Sequence, residues 1–182
     1  MKRLILACLL ACGLAAPAYA EINLMAGPDL VKAVTSNDLK LARQHLVRGE
    51  NPNATDGNGR TALILAIVAD NADMVKLLLD NGARADRADR TGNPPLYWAA
   101  ESGDVAVIDL LLAKGTRVDQ ENKQGTTALM VAARNGKADA VERLLKAGAK
   151  PDRTDFTGRD ALSWAQESRS SRVMSLLRQA KP

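Results

Sequence analysis

Asp56-Gly57-Asn58-Gly59-Arg60-Thr61-Ala62-Leu63 is followed, 33 residues on, by Asp89-Arg90-Thr91-Gly92-Asn93-Pro94-Pro95-Leu96. The pattern returns from Asn122 to Leu129, with Gly125 and Thr127 in register, and from Asp155 to Leu162, with Gly158 and Asp160 in register. The intervening segments keep step without a gap: Leu77-Leu78-Leu79 aligns with Leu110-Leu111-Leu112, and Gly82 with Gly115 and Gly148. A fixed period of this length marks an array of stacked supersecondary units. Upstream, Leu30, Ala33 and Gly49 stand 33 residues before Leu63, Ala66 and Gly82 and define a degenerate first unit without the glycine-bearing turn. Five units follow, over 29–55, 56–88, 89–121, 122–154 and 155–180, forming one repeat domain across 29–180.

Each unit reads turn, helix, short turn, helix, long turn. Gly59, Gly92, Gly125 and Gly158 stand where a tight turn calls for positive φ. Thr61, Thr127 and Asp160 are placed to cap a first helix, and Pro94-Pro95 suits a helix start, where the missing N–H has no partner to lose. Small residues on the first helices (Ala66, Ala99-Ala100, Ala132-Ala133 and Ala165) predict close stacking of neighbours. The second helices carry most of the apolar surface, through Val75/Leu78/Leu79, Ile108/Leu111/Leu112 and Val141/Leu144/Leu145. No unit encloses that surface alone, so stability is shared between neighbours. The end units are more polar: the first has Gln44 and His45 on its second helix, and in the last Arg178 replaces the final leucine. Polar ends predict a capped array.

These residues resemble the ankyrin repeat, with its threonine-proline-leucine-histidine-x-alanine signature and its leucine run followed by glycine-alanine. Where the family usually has histidine this sequence has Ile64, Tyr97, Met130 and Ser163, and the proline survives only as Pro95. The resemblance implies an all-α repeat solenoid with turn or hairpin fingers. It also implies a protein-binding role carried by the concave face of fingers and first helices.

Residues 1–20 read as a signal peptide. Lys2 and Arg3 precede the uncharged apolar run Leu4 to Ala16, and Ala18-Tyr19-Ala20 supplies a small-x-small cleavage site before Glu21. A short leader, 21–28, precedes the repeats. The apolar run is shorter than the roughly 20 residues a membrane span needs, and no later run approaches that length. A bacterial periplasmic location is expected, with secretion as a minor alternative. Lipid anchoring at Cys12 is a further one, since Leu9-Leu10-Ala11-Cys12 loosely resembles a lipoprotein box. Cys8 and Cys12 are the only cysteines, so the processed chain would have none. Removal of 1–20 takes two of 25 basic residues and none of 21 acidic ones, leaving 23 minus 21, or +2. That balance gives no reason to expect nucleic acid as a partner.

No catalytic set is legible. His45 is the only histidine, and its expected place is a cap helix, facing solvent or the second-helix row. With no second histidine and no cysteine, neither a zinc site nor a nucleophile–base pair can be assembled in the usual way. Gly57-Asn58-Gly59 lacks the lysine-serine of a phosphate loop. Asp56, Asp89 and Asp155 recur at one repeat position, which points to a turn role, and no calcium loop is present. No cofactor, metal or catalytic residue is expected.

Register with the family places the variable finger positions at Gly57, Asn58 and Arg60; Arg90, Thr91 and Asn93; Lys123, Gln124 and Thr126; and Phe156, Thr157 and Arg159. Four of these twelve are basic and none is acidic. Exposed first-helix positions add Val68, Glu101, Arg134 and Glu167, among others. Arg60, Arg90, Lys123, Arg134 and Arg159 are expected to steer and orient an acidic protein partner. Phe156, the only phenylalanine, is a candidate anchor, or packs on the neighbouring finger. The expected partner-binding set is Arg60, Arg90, Asn93, Lys123, Arg134, Phe156 and Arg159. Trp98 and Trp164 fall in the core register of Leu65 and Val131, and Tyr97 is expected to hold finger to helix. The functional expectation is a monomeric, non-catalytic module binding a client protein. The alternatives are a secreted effector acting on a host protein, an enzyme on a repeat scaffold, and a self-associating structural protein.

Overall fold

The computed structural model describes residues 29–180; the signal peptide and leader expected over 1–28, with Cys8 and Cys12, lie outside the described residues. Ten helices follow one another among the described residues: α1 (Asp29–Thr35), α2 (Leu39–Val47), α3 (Ala62–Val68), α4 (Ala72–Asp80), α5 (Pro95–Ser102), α6 (Val105–Ala113), α7 (Ala128–Arg134), α8 (Ala138–Lys146), α9 (Ala161–Ser168) and α10 (Ser171–Ala180). The odd-numbered helices pack in series as an inner layer, and the even-numbered ones as an outer layer, each also packed on its own pair-mate. This is an all-α repeat solenoid. The fingers between helix pairs contribute two isolated β-bridges, Thr55 with Thr61 and Thr154 with Asp160.

Helix starts follow the sequence logic. Thr61, Thr127 and Asp160 accept hydrogen bonds from the N–H groups of Ile64, Met130 and Ser163 at 3.2, 3.4 and 2.8 Å. Pro95 opens α5, where no side-chain cap is made. Such caps satisfy donors that the first helical turn leaves unpaired. The second helices use Asp38, Asn71, Asp104 and Ser170 in the same way. Short helices of this kind are marginal alone, and burial supplies what propensity does not. Ala66, Ala99, Ala100, Ala132, Ala133 and Ala165 are buried between neighbouring inner helices, while Val75, Leu78, Ile108, Leu111, Val141 and Leu144 fill the space between layers.

His45 departs from the solvent-facing alternative. It is 8% exposed, and its Nδ1 meets Glu50 Oε1, while Glu50 Oε2 accepts from the Leu30 N–H at 3.1 Å. The carboxylate thus ties the second helix of the first unit to the start of its first helix. At the other end Arg172 and Arg178 are exposed, and Arg172 reaches back to Asp139 of the preceding unit at 2.7 Å.

The finger glycines have two duties. Gly92 has φ 86°, and a Cβ there would stand 2.8 Å from Lys123 Cγ and 2.9 Å from the Lys123 backbone nitrogen. Gly158 has φ 83° but nothing within 4 Å of the same point. Gly158→Ala is therefore expected to cost about 1–2 kcal/mol from left-handed backbone strain alone. Gly92→Ala should cost at least about 1 kcal/mol more, because neighbouring backbone must move as well. Urea unfolding midpoints of the two variants check this; equal losses would show that the seat on Gly92 is not tight.

Candidate partner-binding face

Each finger is a turn closed by one carboxamide or carboxylate oxygen. Asp56 Oδ1 accepts from the N–H groups of Asn58 and Arg60 at 2.9 and 2.8 Å. Asp89 does the same for Thr91 and Asn93, Asn122 for Gln124 and Thr126, and Asp155 for Thr157 and Arg159. The recurring acidic position is a turn position, as its periodicity implies. Where the first helix carries tryptophan, the second carboxylate oxygen also takes the indole N–H: Trp98 to Asp89 at 3.1 Å and Trp164 to Asp155 at 3.0 Å. The tryptophans pack against the core as their register predicts, and they also pin finger to helix. Trp98 thus holds finger to helix beside Tyr97, which lines a recess with the finger residues Asn122 and Thr126. Tyr97 is itself buried, edge-on to Trp98 with ring centroids 5.7 Å apart.

Successive fingers lean on one another. Arg90 lays its stem over Gly59, Lys123 over Gly92, and the Phe156 ring over Gly125. Lys123 Nζ donates to the Arg90 carbonyl at 2.7 Å, and the Phe156 N–H to the Gln124 carbonyl at 3.0 Å. Asn93 Oδ1 accepts from Asn122 Nδ2 at 2.8 Å, which commits that amide to the finger stack. Phe156 remains 75% exposed, so it packs on the neighbouring finger and still faces solvent.

The basic row is not uniform. Arg60 is held by Asp56 of its own finger at 3.0 Å. Arg159 meets Asp155 at 3.4 Å and Glu167 at 3.1 Å, and Arg134 meets Glu101 at 3.5 Å. Among the described residues, Arg90 and Lys123 have no carboxylate in ion-pair contact. Arg134 and Arg159 come together over Trp164, their guanidinium carbons 5.1 and 4.0 Å from the ring centroid. They line a cavity of about 300 Å³ with Tyr97, Asn122, Thr157 and Asp155. Burial pushes the Tyr97 phenol above its ordinary value, with Arg134 opposing and Glu101 adding to it. Burial also works against the Asp155 charge. Even so, the Thr157 hydroxyl, the N–H groups of Arg159 and Thr157 and the Trp164 indole together bring its pKa from 3.8 to about 2. Two signals for this arrangement stand in the sequence: the nine-residue spacing of Asp89 to Trp98, repeated from Asp155 to Trp164, and the shared register of Glu101, Arg134 and Glu167.

The fingers and the inner helices, packed in series, form a stacked repeat solenoid. The family described as ankyrin repeats (3 copies) matches residues 30–122 and again 111–182, and the chain belongs to that family. No curated protein matches it. Ankyrin repeats are generally protein–protein interaction modules, and the fold is typically non-catalytic. Among the described residues no group of three His, Cys, Asp or Glu side chains could hold a metal ion, and no helix is long and apolar enough to cross a membrane.

Asp155 gives this face a defined acid response. Its folded pKa lies below the unfolded value, so its contribution is whole above the unfolded pKa and disappears as pH falls toward about 2. Asp155→Asn is expected to cost about 2–3 kcal/mol at neutral pH through weakened bonds to buried donors, and to flatten the loss of stability between pH 4 and pH 2. Urea titrations at several pH values, followed by tryptophan fluorescence, check both; an unchanged pH slope would remove Asp155 from this role.

Proposed function

We propose that this protein is an exported module of the bacterial periplasm that holds a client protein on its finger and inner-helix face, without catalysis. One observation carries the reading. Phe156 is a large aromatic side chain left 75% exposed at a fingertip, one finger from Lys123 and two from Arg90, cations that have no carboxylate in ion-pair contact among the described residues. Aromatic side chains held among polar groups are typical anchors of interfaces. Arg90 and Lys123 add charge that speeds and orients encounter with an acidic surface. The N-terminal Lys2-Arg3, apolar run and Ala18-Tyr19-Ala20 support export.

The test is capture from a periplasmic extract of the source organism, using wild type beside Phe156→Ala and Arg90→Glu/Lys123→Glu, each first shown to keep its helical signal. A client retained by wild type and reduced at least about tenfold in affinity by either variant is the expected result. Equal retention by all three would move the binding site off the fingertips. Fractionation and N-terminal sequencing accompany it: a periplasmic chain beginning at Glu21 is expected, and a cytoplasmic chain retaining its N-terminus would overturn the location.

A further inference from the structure

Arg134 and Arg159 belong to different units yet share one indole. Arg134 ends α7, Arg159 stands at the base of the following finger, and Trp164 beneath them is only 8% exposed. Stacking on a ring holds a guanidinium by its face and leaves its in-plane N–H groups free to pair. Each guanidinium meets a resident glutamate through a single nitrogen, Arg134 with Glu101 at 3.5 Å and Arg159 with Glu167 at 3.1 Å. An unstrained guanidinium–carboxylate pair is closer, roughly 2.7–2.9 Å, and commonly bidentate. Of the five N–H donors a guanidinium offers, Arg134 commits one to a carboxylate and also bonds the Tyr97 hydroxyl, while Arg159 uses Nε toward Thr157 and Asp155 and Nη1 toward Glu167, so each keeps donors to spare. Both side chains line the same cavity of about 300 Å³, wide enough to admit a side chain.

We infer that this recess is a carboxylate-binding site. An acidic group of the partner takes the place of Glu101 and Glu167 on Arg134 and Arg159, over Trp164. The inference rests on the binding role proposed above and adds the chemical group recognised. Glu101, Arg134 and Glu167 share one register position on α5, α7 and α9, so the resident acids flank the central arginine. They act as a threshold: a free carboxylate must displace them and so binds weakly but saturably, whereas a carboxylate on a partner already anchored at Phe156 arrives at high effective concentration. The exchange thereby favours a partner that carries both groups at the right separation.

The recess is tested on the full chain by nitrogen-15 NMR of arginine Nε–Hε resonances, titrated with N-acetylglutamate N-methylamide, N-acetylglycine and, at matched ionic strength, sodium chloride. Saturable shifts of Arg134 and Arg159 with a carboxylate but not with chloride are expected. Tighter binding of the first probe assigns a side-chain carboxylate and of the second a chain end, either upholding the site. Arg134→Gln should weaken binding read at Arg159 about tenfold, and Glu101→Gln/Glu167→Gln should tighten it by a similar factor. Absence of saturable shifts, an equal response to chloride, or unchanged affinity after removal of the resident glutamates would overturn the site. Capture of one client equally by wild type and by Arg134→Gln/Arg159→Gln would overturn it too, while leaving the binding role intact.

Discussion

No unit of this protein can cover its own leucines, and everything else follows from that constraint. A pair of helices seven to ten residues long has too little interior to offset the entropy of ordering it. Leu78, Leu111 and Leu144 become fully buried only because the next pair lies against them. The inner helices must approach closely for that to happen, which is why alanine occupies their contact positions. The repeat period, the alanine stripe and the polar end units are three expressions of one packing requirement.

The outer surface answers the same requirement electrostatically. Lys114 reaches Asp80 at 3.2 Å, Arg143 pairs with Asp109, Arg153 reaches Glu121 at 2.6 Å and Arg172 reaches Asp139 at 2.7 Å, each pair joining one unit to the one before it. Individually such exposed pairs contribute little. Their effect is register: like-signed neighbours at these positions would oppose the 33-residue alignment, so the charges favour one stacking over a slipped alternative. Many basic residues that composition alone assigns to a solvated surface are therefore engaged within the fold.

Periodicity made most of the architecture legible. The positive φ of the finger glycines, the Thr61, Thr127 and Asp160 caps and the burial of the leucine runs all follow from local rules that act within one unit. Less legible were contacts between units, because a side chain's partner across a 33-residue step depends on lateral geometry that spacing does not encode. Arg60 and Arg159 share a finger position, yet the first is absorbed by Asp56 while the second divides itself among Asp155, Glu167 and Trp164. The difference lies in the residue nine positions after the finger acid: Leu65 leaves the Asp56 carboxylate to its own arginine, whereas Trp164 claims an oxygen of Asp155 and offers the arginine its ring. Of the two orientations open to His45, the solvent-facing one is lost for a related reason, since its partner Glu50 lies beyond the helix and draws it inward.

This division gives the two ends of the finger face different characters. On the first finger the cation is neutralised in place, and Gly57 leaves the fingertip bare. Toward the last finger, cations with stems laid on glycine, an exposed aromatic ring and two guanidiniums stacked on one indole accumulate within three consecutive units. Recognition energy concentrates where aromatic and arginine side chains are held in place before a partner arrives, because less conformational freedom is then lost on binding. Here the holding is done by the same glycine seats and Asp–Trp bonds that stack the fingers. The exposed aromatic and arginine chemistry of units three to five is thus inseparable from their stability, and a substitution that loosens Asp155 or Gly125 acts on both at once.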